Sequence, residues 1–253
     1  MALVNAKRLV EGAGTPESVW QAWTGLARVS LPPVSAWLPA SARLVVVAPH
    51  PDDELLACGG LIHEHSARGG EILIVAVTDG EASHAGSPGW SPTQLAALRR
   101  AESTEGLRRL GLRSAGVVRL GLPDGQIAQH TDALGRTLET LFWPTDVVLS
   151  TWRLDGHPDH DATGRAAAWA CAQAGCRLVE APVWMWHWSA PGDARVPWHR
   201  MLGVPLAPRA LALKKTALAA HVTQLSRRDP CNGPVLGPAI LARADRMIEY
   251  LFV

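Results

Sequence analysis

The chain has 253 residues, of which 47% are apolar and 19% charged, and its formal net charge is +1. This composition indicates a globular protein with one sizeable core and excludes a disordered chain. The small net charge gives no electrostatic reason to expect a nucleic acid or an anionic membrane as partner. No apolar run in the sequence approaches the roughly 20 residues of a membrane span.

Residues 1–40 are predicted to be an extension that packs on the domain and does not form one of its own. Thr15-Pro16-Glu17-Ser18 can begin a helix with Val19, Trp20, Trp23 and Leu26 on one side. The N-terminus lacks the basic start, apolar stretch and small-residue cleavage site of a signal peptide. We therefore expect a cytoplasmic protein.

From residue 41 to residue 253, predicted strands and helices alternate along the chain. The predicted strands are Leu44–Ala48, Ile72–Val77, Val117–Leu120, Val147–Ser150 and Val183–Trp188. The predicted helices are Glu54–Arg68, Thr93–Leu110, Ala133–Leu141, Ala162–Ala174 and Lys214–Gln224. Apolar strands separated by helices predict an α/β domain of Rossmann-like type, with a mostly parallel sheet and helices on both faces. Such sheets bind ligands beyond the carboxyl ends of their strands.

Two short polar strings follow the first and fourth predicted strands. They are His50-Pro51-Asp52-Asp53-Glu54 and His157-Pro158-Asp159-His160. Proline suits the first position of a helix, so we expect His50 and His157 as N-cap residues. Asp53 and His160 then follow three positions later on the same side.

Histidines combined with an aspartate are typical of a catalytic zinc site that keeps one position for water. For either string alone, ordinary helix caps and loop polar groups are an equally good interpretation. Two such strings at strand ends favour a shared metal site.

Residues 47–54 resemble the first signature of the LmbE-like, or PIG-L, family of zinc de-N-acetylases, and residues 156–160 match its second signature. The resemblance covers most of residues 43–225. Further agreement lies in Thr78-Asp79-Gly80-Glu81, in Arg99-x-x-Glu102 with Leu110-Gly111, in Leu122-Pro123-Asp124-Gly125, and in Lys214-x-x-Ala217-x-x-x-His221-x-Thr223-Gln224.

The resemblance implies roles for several of the matching residues. His50, Asp53 and His160 would hold zinc, although another divalent metal is compatible with the same ligands. Asp52 would be the general base, and His157 would stand by the developing oxyanion as the imidazolium. The positions implied for the substrate are Arg99 and Asp124, which would grip sugar hydroxyls, and His221, near the zinc or the substrate.

One position departs from the family pattern. Some relatives carry a tyrosine two residues before the histidine that matches His157, where it can polarise the substrate carbonyl. Asp155 occupies that position here, so either another group serves or the oxyanion site is built differently.

The predicted function is hydrolytic removal of an acetyl or other acyl group from an amino sugar or sugar conjugate, with this small molecule as the partner. A zinc amidase for a non-sugar amide, such as a thiol conjugate, is the alternative enzyme. A non-catalytic sugar- or nucleotide-binding module on the same fold is the other alternative. Asp52 argues against a binding module, because a binder needs metal ligands but no spare base. The sequence leaves a homo-oligomer open.

Two other groups of residues have ordinary structural interpretations. Trp184, Trp186 and Trp188 would share one face of the predicted strand, where core packing is favoured over a sugar-stacking platform. Four cysteines form no C-x-x-C pair, and buried reduced thiols are favoured over disulfides for Cys58, Cys171, Cys176 and Cys231.

Overall fold

The computed structural model describes residues 8, 10, 12–84, 86, 89–112, 114–228 and 233–253. The strands are β1 (Leu44–Ala48), β2 (Ile72–Thr78), β3 (Gly116–Leu122), β4 (Val147–Thr151), β5 (Arg177–Ala181), β6 (Met201–Pro205) and β7 (Ile248–Phe252). The α-helices are α1 (Glu17–Ala22), α2 (Asp53–Ala67), α3 (Pro92–Arg109), α4 (Thr131–Leu141), α5 (Pro158–Ala174), α6 (Met185–Trp188), α7 (Pro208–Leu218), α8 (Val222–Leu225) and α9 (Pro238–Ala244).

The strands form one sheet in the order β3-β2-β1-β4-β5-β7-β6. Strands β1 to β5 pair in parallel, whereas β7 pairs antiparallel with both β5 and β6. The prediction of a mostly parallel α/β sheet is therefore confirmed. The strand order reverses between β1 and β4, and ligands of open α/β sheets bind in the crevice at such a point.

Side chains of β1 alternate between two apolar layers, which explains why this strand is apolar throughout. Leu44 and Val46 pack with residues of α2, α3 and α7. Val45 and Val47 pack on the other face with residues of α4 and α5. Both faces of the central sheet are thus covered by helices, as the sequence predicted.

The strand predicted over residues 183–188 is wrong. The strand in this region is β5, which ends at Ala181 before Pro182, and Met185–Trp188 forms a short helical turn. Backbone N–H groups of residues 183–185 donate to the Asp155 carboxylate, so they are not available to a strand ladder. Trp186 is nevertheless buried in an apolar cluster, as core packing predicts.

Two further expectations about the helices are wrong. The helix expected over residues 214–224 breaks after Leu218, and α8 begins only at Val222. Helix α2 begins at Asp53, so its N-cap is Asp52 and not His50. The N-cap predicted at His157 is correct, with Pro158 as the first helical residue.

Helix α1 contacts the domain through Trp20, which is fully buried. The Trp20 indole Nε1 donates to the backbone oxygen of Trp186 at 3.0 Å. Arg246 pairs with Glu17 at 2.7 Å. Val19, predicted on the same apolar side as Trp20, is exposed.

The described cysteines are free thiols: Cys58 and Cys171 are buried, and Cys176 is half-buried. The prediction for Cys231 lies outside the described residues. Within the described part of the chain, no helix combines the length and the apolar character that crossing a membrane would need.

A buried ion pair holds an irregularity in α2. The backbone of Cys58 is not helical, with φ −152° and ψ 26°. Just beyond it, the Glu249 carboxylate accepts hydrogen bonds from Gly60 N at 2.8 Å and Leu61 N at 2.9 Å. Lys214 Nζ donates to Glu249 at 2.8 Å and to Leu56 O at 3.1 Å. The pair therefore satisfies backbone groups on both sides of the break.

Replacing Lys214 by alanine should lower the free energy of unfolding by about 3 kcal/mol, because it leaves Glu249 buried without its cation. The side chains of Lys214 and Glu249 are each only 2% exposed. Lys215→Ala is the matched control, since Lys215 pairs with Asp245 at side-chain exposures of 52% and 44%. That exposed pair should contribute less than about 1 kcal/mol. Urea unfolding measures the free energy of unfolding of both variants. Equal losses in the two would contradict a stabilising role for the buried Lys214–Glu249 pair.

Candidate active site

A cavity of about 300 Å³ opens at the carboxyl ends of β1 and β4, where the strand order reverses. The loop after β1 supplies His50 and Asp52, and Asp53 begins α2. The loop after β4 and the first turn of α5 supply His157 and His160. All five residues line this cavity.

Three candidate metal ligands converge within it. One ligand atom from each of His50, Asp53 and His160 lies within 4.8 Å of the others. His50 Nδ1 is 3.1 Å and His160 Nε2 is 3.2 Å from Asp53 Oδ2. His50, His157 and Asp159 meet the same distance criterion. The first set is the better one, because both Asp159 oxygens already accept backbone N–H groups.

In both His50 and His160, the ring nitrogen that is not directed at Asp53 faces another carboxylate. His160 Nδ1 is 2.9 Å from Asp155 Oδ2, and His50 Nε2 is 3.2 Å from both Asp159 Oδ2 and Asp124 Oδ1. Since an ionised carboxylate only accepts hydrogen bonds, these nitrogens carry the ring protons in the neutral histidines. The lone pairs of His50 Nδ1 and His160 Nε2 are then directed towards Asp53.

This donor set fits a metal cation. His160 Nε2 is buried and has no hydrogen-bond partner among the described residues. Burial alone would lower the pKa of His160, but Asp53 and Asp155 raise it to about 9. The group therefore attracts positive charge strongly. Two neutral nitrogens and one carboxylate are a normal ligand set for catalytic zinc.

Asp52 lies beside these ligands in a strained conformation. Its φ of 124° is the one positive value among the non-glycine residues that the structure describes, and such a backbone persists only when its surroundings hold it. Arg99 Nη2 donates to Asp52 Oδ2 at 3.1 Å, and Glu54 Oε2 accepts from Asp52 N at 3.1 Å. Burial raises the pKa of Asp52 to about 7, with a further contribution from Asp53. A carboxyl group with this pKa can both accept and return a proton near neutral pH.

His157 presents a neutral ring to the cavity. Its Nδ1 accepts a hydrogen bond from Asp159 N at 3.3 Å, so the neutral ring carries its proton on Nε2. Burial lowers the pKa of His157 to about 3, and His160 and His50 lower it further. The structure thus favours a neutral N–H donor over the predicted imidazolium.

A family model described as GlcNAc-PI de-N-acetylase, or PIG-L, matches residues 45–171, which is half of the chain. The chain belongs to the PIG-L family. The matched segment runs from β1 into the last turn of α5 and includes both polar strings. Family membership and the α/β fold are therefore established for this chain.

Curated PIG-L relatives are named as sugar deacetylases. The chain is 29% identical over 181 residues to a 1D-myo-inositol 2-acetamido-2-deoxy-alpha-D-glucopyranoside deacetylase of Mycolicibacterium gilvum, covering 60% of each chain. It is 30% identical over 144 residues to a probable N-acetyl-alpha-D-glucosaminyl L-malate deacetylase 2 of Bacillus anthracis, covering 51% of this chain and 59% of the relative. The match thus spans less than two thirds of the length of these relatives.

A solved structure supports the same fold over more of the chain. The conserved protein TT1542 from Thermus thermophilus superposes with a TM-score of 0.59 and 28% identity. The match covers 83% of this chain and 93% of that protein.

Two residues implied for sugar binding line the cavity but already have protein partners. Arg99 donates to Gly80 O at 2.9 Å and to Pro51 O at 2.7 Å, besides its contact with Asp52. Asp124 Oδ2 accepts from Ala82 N at 2.8 Å. Burial alone would raise the pKa of Asp124, but its hydrogen bond with His50 lowers the pKa to about 2. Both residues therefore hold neighbouring residues of the cavity in place.

The structure does not support His221 as a substrate-binding residue. Of the described residues, those lining the cavity include Gln224 but not His221. His221 is fully buried, and neither ring nitrogen has a hydrogen-bond partner in the described part of the chain. Gly106 of α3 leaves room for this ring, since a Cβ there would lie 3.0 Å from His221 Nε2. The break after α7 turns this histidine into the interior and places Gln224 at the cavity.

Two buried aspartates that the sequence interpretation did not assign connect the histidines to the cavity walls. Asp155 accepts from Val183 N at 3.0 Å, Trp184 N at 2.9 Å and Met185 N at 2.8 Å, besides its contact with His160. Asp159 contacts His50 and accepts from the backbone N–H groups of Gly125 (2.8 Å) and Ile127 (3.1 Å). Asp155 precedes the second string and Asp159 is part of it, so both positions were visible in the sequence, whereas their partners from distant loops were not.

Asp155 does not replace the family tyrosine as a substrate contact. It is fully buried and is absent from the described residues that line the cavity. It serves instead as an acceptor that fixes the His160 ring and the loop of residues 183–185. His157, in contrast, lines the cavity.

Asp155→Asn should weaken zinc binding by about 10- to 100-fold, the usual effect of removing a partner of a metal-binding histidine. Each Asp155 oxygen faces only donors, so an amide NH₂ would oppose an N–H group in either orientation. Competition with a chelator measures the affinity. Asp193→Asn, in a surface pair with Arg195, is the control and should bind zinc normally. Unchanged affinity in Asp155→Asn would show that His160 needs no such partner.

Proposed function

We propose that this protein is a zinc-dependent amide hydrolase that removes the N-acyl group of an amino sugar or sugar conjugate. The observation that carries the proposal is the carboxyl group of Asp52, which lies beside the convergent His50, Asp53 and His160 but is not part of that group. A protein that only binds sugar needs no such base. Membership of the PIG-L family supports the same reaction.

A bound zinc ion would supply a Lewis acid that lowers the pKa of water towards about 7. Asp52 would take the proton of the water that attacks the amide carbon. The Nε2–H of His157 would donate to the oxygen that gains negative charge. As the C–N bond breaks, the proton on Asp52 would pass to the leaving nitrogen. The products are a carboxylic acid and a free amine.

An amino sugar suits the polar part of the cavity. Ala82, Ser83, Arg99, Asp124 and Gln224 line that part, and the last four carry polar side chains. The curated relatives are named for N-acetylated glucosamine linked to inositol or to malate. We therefore place a small glucosamine derivative, N-acylated before the reaction, in this cavity.

The test is amine release by zinc-loaded protein from a panel of N-acetylglucosaminides and from an S-conjugate of N-acetylcysteine. We expect hydrolysis of the sugar amides and none after the metal is removed with a chelator. Activity on the cysteine conjugate alone would replace the sugar substrate by a thiol conjugate. Saturable sugar binding without hydrolysis would overturn the enzyme assignment.

A further inference from the structure

The cavity has two chemically different walls on opposite sides of the point where the strand order reverses. The polar wall comes from the loops after β2 and β3, which supply Ala82, Ser83 and Asp124. The apolar wall contains Val183 and Trp184, which follow β5. In the sheet, β2 and β3 lie beyond β1, whereas β5 lies beyond β4. The metal-ligand group is between the two walls.

A groove of about 680 Å³ continues the apolar wall. Trp184, Arg228, Val235 and Ile240 line both the cavity and the groove, so the two spaces adjoin. Pro238 and Ala239 line the groove but not the cavity. The Trp184 ring lies nearly parallel to that of His157, with 6.3 Å between centroids and 24° between planes. Trp184 therefore stands between the catalytic group and the groove.

The sides of the groove are held by backbone contacts. Thr15 N donates to His187 O at 2.9 Å, and a Cβ on Gly14 would overlap the His187 ring, so this segment lies close against the groove. Leu236 N donates to Gln224 O at 2.9 Å and holds the segment that carries Val235. The groove is thus built from the N-terminal extension, α6, the region before α9 and the first turn of α9.

We infer that this site accepts acyl groups longer than acetyl, with the alkyl chain of the acyl group in the groove. The inference rests on the proposed function. An amide has a carbonyl with two substituents, and the catalytic group must hold that carbonyl between the two walls. If the sugar occupies the polar wall, the acyl chain is directed to the apolar one. An acetyl group would leave the groove unfilled, whereas a chain of six to ten carbons would bury apolar surface there.

Cleavage of such a substrate forms and breaks the same bonds as the proposed reaction. Water supplies the hydroxyl that joins the carbonyl carbon, the C–N bond breaks, and one proton is transferred to the nitrogen. The products are a fatty acid and the free amino sugar. No oxidant or further reactant is needed.

The test compares N-acetyl-, N-butanoyl-, N-hexanoyl- and N-octanoylglucosamine with the zinc-loaded protein, measured by glucosamine release. Each buried methylene can contribute up to about fourfold, and we expect kcat/KM to rise at least tenfold from acetyl to hexanoyl.

Ala239→Trp would fill the groove without lining the cavity. It should remove the gain for hexanoyl while leaving acetyl hydrolysis unchanged. Ala212→Trp, at an exposed position of α7, is the matched control and should retain the gain.

Separate outcomes identify which idea has failed. Hydrolysis of the acetyl substrate with no gain from longer chains would overturn the inference and leave the proposed function intact. A gain only for octyl N-acetylglucosaminide, which carries its chain on the anomeric oxygen, would assign the groove to the aglycone and also overturn it. Failure of every sugar amide would overturn the proposed function itself. The wild-type series decides the question even if Ala239→Trp does not fold.

Discussion

Asp52→Asn is expected to lower kcat at least about 100-fold, the lower end of what general-base catalysis contributes. Asparagine keeps the shape of the side chain, and it tolerates a positive φ better than most residues. The hydrogen bond from Arg99 to the side-chain oxygen can also persist. What is lost is the ability to accept a proton. The measurement is single-turnover amine release from zinc-loaded protein.

The metal content of the variant is the control for this experiment. Asp52 is not one of the three convergent ligands, so Asp52→Asn should bind zinc with the stoichiometry of the wild type. Turnover within tenfold of the wild type would remove Asp52 as the base. Loss of zinc together with activity would instead make it a ligand.

His160→Ala is expected to abolish zinc retention and, with it, turnover. The substitution removes one of the three proposed ligands and leaves Asp53 and Asp155 buried without their shared partner. Elemental analysis after dialysis measures the zinc that remains. His160→Gln provides a second variant of similar size, in case the alanine variant does not fold.

His199→Ala is the matched control, because His199 is an exposed histidine that has no place in the site. It should keep the zinc content and activity of the wild type. A full equivalent of zinc in folded His160→Ala would show that the metal lies elsewhere.

The central fold could be predicted because its strands are apolar on both faces. Strand β1 was predicted at its observed bounds, Leu44–Ala48, since each of its residues contacts one of two helix layers. Strand β5 was displaced in the prediction because residues 183–188 are also apolar and aromatic. What distinguishes the two segments is Pro182 and the hydrogen bonds to Asp155, and only the first is visible in the sequence.

The site was predictable where it depends on local spacing, and not where it depends on distant loops. The string at residues 157–160 places two histidines on one helical turn, and their rings lie 4.9 Å apart. The positions of the Asp155 and His221 side chains could not be predicted, because they depend on tertiary contacts. The backbone groups that bind the Asp155 carboxylate come from residues 183–185. The break between α7 and α8 that buries His221 has no strong signal, because Ala219 and Ala220 are good helix formers.

The most direct test of the metal site is anomalous scattering from crystals of the zinc-loaded protein, with data on both sides of the zinc absorption edge. We predict one strong peak in contact with His50, Asp53 and His160, with Asp52 and Asp155 outside its ligand shell. A peak held by other residues, or none at these three side chains when zinc is saturating, would contradict the account.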